Sequence, residues 1–135
     1  MDTDFAERRR HIRVYFNSLE EANCRFALEE QGTEIFTASV LDLSLGGMHL
    51  TVTGNNGFAV GDQLVLTDLI HSTGPVCNEQ IPMVIRWVFN REALSRLYLG
   101  CQFLYLPEMS RCHIANLISV KLLESSTARL GVFTA

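Results

Sequence analysis

Short runs of alternating residues, separated by turn residues, fill most of this chain and restrict its fold more than any other feature. In the run at 24–30, Cys24, Phe26 and Leu28 fall on one face of an extended strand, and the same period of two recurs in MHLTVT at 48–53. This period indicates strands with one buried face, and many short strands joined by turns are typical of an antiparallel barrel or sandwich. Residues 71–79 are expected to form a polar connection between strands. Further strand-like runs lie at 13–16, 34–44, 60–69, 80–90 and 95–106.

A helical pattern appears only near the end of the chain. After Pro107, apolar residues recur at spacings of three and four, which predicts one helix packed on the strands, with Pro107 in its first turn. These apolar residues are Ile114, Leu117, Ile118 and Leu122. We expect a flexible arm over residues 1–12, a folded domain over 13–124, and a tail or helix extension over 125–135.

The composition favours a single globular domain. Of the 135 residues, 47% are hydrophobic and 19% are charged, which is enough apolar material for a full core. No apolar run reaches the length of about 18 residues that a membrane span needs, and no apolar segment follows the N-terminus. We therefore expect a cytoplasmic protein without membrane insertion. The four cysteines show no CxxC pair or zinc-finger spacing, so we expect no metal and read them mainly as core residues.

Arginine is concentrated in one short stretch, although the net charge is −4. Arg8, Arg9, Arg10 and Arg13 lie within six positions and are four of the eleven basic residues, whereas Lys121 is the only lysine. The planar fork of arginine matches phosphate groups and guanine edges. Because an acidic chain is a poor general binder of nucleic acid, the cluster favours a small, discrete anion, and we expect no DNA or RNA partner.

The sequence DLSLGG at 42–47 is the second polar feature. In an extended strand Asp42 and Ser44 share one face, while Leu43 and Leu45 point to the other. The two glycines that follow permit a tight bend and close approach of a ligand to the backbone. Taken alone, this pattern is typical of a turn.

Together, the two features resemble the PilZ domain family, whose members are receptors for the bacterial messenger cyclic di-GMP. Arg9 and Arg13 match the RxxxR motif of the family, and Asp42, Ser44 and Gly47 match its (D/N)xSxxG motif. VGDQLVL and LGCQFL resemble weaker downstream features, so the resemblance extends from Glu7 into the C-terminal helix. It implies a small antiparallel β-barrel of six or seven strands with a C-terminal helix.

The resemblance implies that cyclic di-GMP is the ligand and that the arginines and the Asp42 strand bind it. Arginine can meet guanine O6 and N7 in a bidentate manner, and a carboxylate such as Asp42 can accept from guanine N1–H and N2–H. Ser44 is expected to add a hydroxyl contact, and Gly47 a close backbone approach. Trp87 matches a strand position where several family members carry an aromatic residue that meets the ligand, although a lone Trp is most often partly buried core.

The resemblance also implies a stoichiometry, and the charge of the arm suggests a mechanism. An arginine at the position of Arg8 is similar to members that bind an intercalated pair of ligands. Arg10 is expected either to contact a phosphate or to face solvent. We expect the arm to become ordered on the ligand and to signal to an unidentified downstream protein.

Two other functions are consistent with parts of the sequence. One is a ligand-independent interaction module of the same fold, and the other is a small barrel that binds single-stranded nucleic acid. An enzyme is not expected, because Asp42, Ser44 and His49 would lie along a single strand and could not converge as a catalytic triad. We expect no cofactor.

Overall fold

The structure, a computed structural model, describes residues 11–29, 34–54 and 57–134, with side chains as far as Ser125. Arg8, Arg9 and Arg10 lie outside the described residues, as does most of the expected arm. The strands are β1 (Val14–Tyr15), β2 (Ala22–Leu28), β3 (Phe36–Leu43), β4 (Gly47–Thr53), β5 (Gln63–His71), β6 (Gly74–Cys77), β7 (Ile81–Arg91) and β8 (Arg96–Phe103). A 3₁₀ turn, Glu92–Leu94, joins β7 to β8, and the helix α1 runs from Glu108 to Thr134.

Six antiparallel strands close into a barrel. Their order is β3–β2–β5–β7–β8–β4, and β4 pairs with β3 to complete the ring. The short strands β1 and β6 lie outside this ring, on the edges of β3 and β5. The prediction of a small antiparallel barrel with one C-terminal helix is therefore confirmed.

One strand was missed by the sequence pattern. The segment expected to be a polar connection contains β6, which turns back onto β5 so that Cys77 lies opposite Leu69. Gly74 makes this return with a φ of +142°, a conformation that other residues rarely adopt. With only four residues and a proline, β6 is too short to show a period of two.

The core fills the barrel and continues under the helix. Large side chains such as Phe26, Leu50 and Leu99 are fully buried. The helix α1 packs against β6 and β1 and adds Ile114, Leu117 and Ile118 to the core. Three cysteines, Cys24, Cys77 and Cys101, are buried, and Cys112 is exposed. Burial raises the pKa of Cys77 to about 11 and that of Cys101 to about 12, so these thiols stay protonated at neutral pH.

A carboxylate from the loop between β6 and β7 caps the start of α1. The Glu79 carboxylate accepts hydrogen bonds from the backbone N–H of Ser110 (3.0 Å) and from its hydroxyl (2.5 Å). A negative group at this position is favoured by the free N–H groups and by the helix dipole. Pro107 was predicted to lie in the first turn, but the helix begins at Glu108, and Pro107 is the residue before it, whose carbonyl accepts the first helical hydrogen bond from the N–H of Arg111. Within the described residues, no helix is both long and apolar enough to cross a membrane.

A buried ionic cluster attaches the helix to the barrel. Lys121 donates to Glu21 Oε2 at 2.6 Å, and His71 Nε2 lies 2.8 Å from the same oxygen. The backbone N–H of Asn17 donates to the other carboxylate oxygen, and the Lys121 ammonium lies over the ring of Phe16. Burial by itself would raise the pKa of Glu21, but the hydrogen bonds from Lys121, Asn17 and His71 outweigh it and lower the pKa from 4.5 to about 2.

This cluster predicts a specific acid sensitivity. Because the pKa of Glu21 is depressed in the folded state, its stabilisation is complete above about pH 4.5 and is lost as the pH falls toward 2. Glu21→Gln is expected to lower the free energy of unfolding at pH 7 by on the order of 2–3 kcal/mol and to flatten this acid dependence.

Urea unfolding between pH 2.5 and 7 measures both effects. Glu20→Gln, at the exposed neighbouring position, is the matched control and should behave like the unsubstituted protein. An equal loss in both variants would show that the cluster is not the cause.

Candidate functional site

Two β-bulges place two of the predicted site residues, Asp42 and Trp87, on the outer face of the barrel. In β3, Val40 pairs with Leu50 but Asp42 pairs with His49, so one extra residue is inserted between them. Val40 is fully buried, and regular alternation would have placed Asp42 on that same inner face. The bulge moves Asp42 to the outer face, opposite His49, and returns Leu43 to the core.

The second bulge does the same for Trp87 in β7. Ile85 pairs with Cys101 and points inward, whereas Trp87 pairs with Gly100 and is 41% exposed. Regular alternation would have placed Trp87 on the inner face with Ile85, but Arg86 is an extra residue between them and turns Trp87 outward. Trp87 is thus a surface aromatic and not a core residue.

Asp42 is the centre of the outer-face site, which we define as Arg13, Asp42, His49 and Trp87. Arg13 donates to Asp42 Oδ1 at 2.5 Å, and His49 Nδ1 lies 2.6 Å from Oδ2. These two partners cover the carboxylate, whose side chain is only 8% exposed. Both partners remain about 30% exposed, so a ligand can reach them.

Gly100 makes room for the aromatic part of the site. It lies between His49 on β4 and Trp87 on β7 in the register of the sheet. A Cβ at this position would overlap the indole ring, so the missing side chain lets Trp87 lie across β8. The Trp87 and His49 rings consequently meet, with centroids 5.1 Å apart and planes inclined by 44°.

Ser44 and Gly47 build the turn between β3 and β4. The Ser44 hydroxyl is buried, accepts from the N–H of Gly46 and donates to the carbonyl of Gly47. A Cβ on Gly47 would overlap the carbonyl of Cys101, so only glycine allows β4 to approach β8 here. Ligand contact by Ser44 and Gly47 stays a prediction, since their described contacts are within the turn and with β8.

The structure brings together three of the predicted site elements and adds a fourth. Arg13 and Asp42 form a pair, and Trp87 lies nearby through His49. The argument that Asp42 and His49 lie along one strand is wrong, because the turn at 44–47 places them opposite each other on two strands. The turn signal in DLSLGG, followed by a strand, could have indicated this pairing.

Comparison with known proteins identifies the family. The PilZ domain family model matches residues 7–119. No curated protein sequence gives a significant match. Among solved structures, the PilZ domain with c-di-GMP of YcgR from Escherichia coli has a TM-score of 0.65 at 16% identity, covering 90% of this chain and 97% of that chain.

Two longer proteins share the same fold. The inhibitor of motility MotI/DgrA of Bacillus subtilis has a TM-score of 0.63 at 15% identity, covering 84% of this chain and 51% of that one. The K. pneumonia MrkH–c-di-GMP complex has a TM-score of 0.65 at 20% identity, covering 88% and 54%. This chain therefore spans about half the length of these two proteins.

The role of Gly100 predicts a change that the single tryptophan reports directly. Gly100→Ala should push the Trp87 indole away from His49, because the added methyl group occupies its place. We expect a shifted fluorescence emission maximum and a loss of about 1–3 kcal/mol in the free energy of unfolding. Asn90→Ala, at an exposed position of β7, the strand that carries Trp87, should leave the emission unchanged. An unchanged spectrum in Gly100→Ala would contradict the described packing.

The role of Asp42 predicts a loss of stability without any ligand. Asp42→Asn removes the charge that Arg13 and His49 share, and should lower the free energy of unfolding by about 1–3 kcal/mol. Denaturant unfolding at pH 7 measures the loss, with the exposed Glu34→Gln as a matched charge-removing control. If both variants unfold at the denaturant concentration of the unsubstituted protein, Asp42 does not hold its two partners.

Proposed function

This chain belongs to the PilZ domain family, and we propose that it is a receptor that binds cyclic di-GMP at the outer-face site. The observation that carries the proposal is the Arg13–Asp42 pair, which joins one residue from each family motif beside an exposed aromatic ring. The solved PilZ domain of YcgR and the MrkH complex were determined with c-di-GMP, which adds support from proteins of the same fold.

The chemistry of the pair suits a guanine dinucleotide. Arg13 uses one terminal nitrogen for Asp42, so its other N–H groups remain for guanine O6 and N7 or for a phosphate. Each oxygen of Asp42 has one described partner, and its second lone pair would accept from guanine N1–H or N2–H if the ligand displaces part of the cover that Arg13 and His49 provide. Trp87 offers a face on which a base can stack.

We propose that the arginines before Arg13 complete the site from the arm. Arg8 and Arg9 would bind the phosphates and the second guanine edge, and Arg10 would add a phosphate contact. Four like charges within six positions repel one another, and a ligand with two phosphates neutralises that repulsion. Binding would therefore order the arm, and Arg8 would support an intercalated pair of ligands.

The proposed output is recognition by another protein, in a non-enzymatic, cytoplasmic role. Arm docking would replace a positively charged segment with an ordered, anionic surface beside Asp42. A partner that recognises this surface would respond to the ligand concentration. The chain would bind cyclic di-GMP and that protein, without DNA or RNA and without a cofactor.

Calorimetric titration with cyclic di-GMP tests the proposal. The unsubstituted protein should bind two ligands per chain. Arg9→Ala and Arg13→Ala should each weaken binding by about 10- to 100-fold, because each loses a bidentate arginine contact. Arg8→Ala should reduce the stoichiometry to one.

Arg111→Ala is the matched control, since Arg111 is exposed on α1 and lies outside the site. It should bind like the unsubstituted protein. Absence of binding by the unsubstituted protein would refute the receptor function and leave a ligand-independent interaction module. A stoichiometry of one would refute only the intercalated pair.

A further inference from the structure

His49 occupies the middle of the outer-face site without belonging to either family motif. It contacts Asp42 through Nδ1 on one side and packs against the Trp87 ring on the other. Its side chain remains 30% exposed. A ligand that reaches from the Arg13–Asp42 pair to Trp87 therefore has to pass over the exposed edge of this imidazole.

The contact with Asp42 fixes which ring nitrogen carries the proton. An ionised carboxylate can only accept, so Nδ1 must be the donor. Nε2 is then the nitrogen left for a ligand. It accepts a hydrogen bond when the ring is neutral, and it donates one and carries positive charge when the ring is protonated.

We propose that His49 is a ligand-contacting residue of this site and that its protonation strengthens binding of the dianionic ligand. The inference rests on the proposed function. The protonated ring presents an N–H to a phosphate or to guanine O6 or N7, and it adds positive charge beside Arg13. The neutral ring offers neither, so affinity for the dianionic ligand should rise as the pH falls and the protonated ring becomes more populated.

Few other titratable groups near His49 could make the ligand affinity depend on pH. It contacts Asp42 on β3, and the other oxygen of that carboxylate contacts Arg13 from the segment before β1. On β8 it faces Gly100, and on β7 it faces Trp87. Arg86, next to Trp87, is bonded to Gln102. His11 is the other histidine near the site, because its ring lies against Gly46 in the β3–β4 turn.

Calorimetric titration with cyclic di-GMP between pH 5.5 and 8.0 tests the proposal. The unsubstituted protein should bind about tenfold more tightly at the acidic end, because an opposite charge within about 4–6 Å shifts a protonation equilibrium by at least about that factor. Titrations at pH 6.5 in two buffers of different ionisation enthalpy should show net proton uptake.

Variants separate His49 from the other histidines. His49→Asn and His49→Gln keep an amide that can donate to Asp42 but cannot titrate, so both should still bind while losing the pH dependence and the proton uptake. His113→Asn, exposed on α1, and His11→Asn should retain both effects.

The possible results distinguish a failure of the role proposed for His49 from a failure of the proposed receptor function. No binding by the unsubstituted protein at any pH refutes the receptor itself. Binding without pH dependence refutes the role of His49 alone. A pH dependence that survives in both His49 variants, or that disappears in His11→Asn, also overturns the proposal.

Discussion

The carboxylate of Asp42 links the segment before β1 to both strands of the β3–β4 hairpin through side-chain contacts. It pairs with Arg13, just before the two-residue strand β1, and with His49 on the opposite strand of the β3–β4 hairpin. A buried charge of this kind is tolerated only with such partners. Because β1 pairs with only two residues of β3, the ion pair adds a second attachment for the N-terminal segment.

The same short segment connects the outer-face site with the helix. Val14 and Tyr15 separate Arg13 from Phe16, whose ring lies under the Lys121 ammonium. The next residue, Asn17, donates its backbone N–H to Glu21 in the ionic cluster. One extended stretch of five residues therefore carries a site residue at its start and contacts the helix-anchoring cluster at its end.

Much of the architecture was predictable, because alternation and helical spacing are local. The strand-like runs and the helix after Pro107 lie close to their observed places, and Arg13 and Asp42, one residue from each polar motif, form a pair. The bulges before Asp42 and Trp87 were not predictable, because they depend on the register with partner strands. Pairing of Lys121 with Glu21, a hundred positions apart, likewise follows only from the closed barrel.

The most direct test of the account is the fluorescence of Trp87, the only tryptophan, during titration with cyclic di-GMP and with cyclic di-AMP. The outer-face site predicts a saturable change with the guanine ligand, since a base comes to lie against the indole. It predicts little change with the adenine ligand, which lacks the O6 acceptor and the N1–H and N2–H donors of guanine. Calorimetric binding of cyclic di-GMP without any change in Trp87 emission would contradict the account and place the ligand elsewhere.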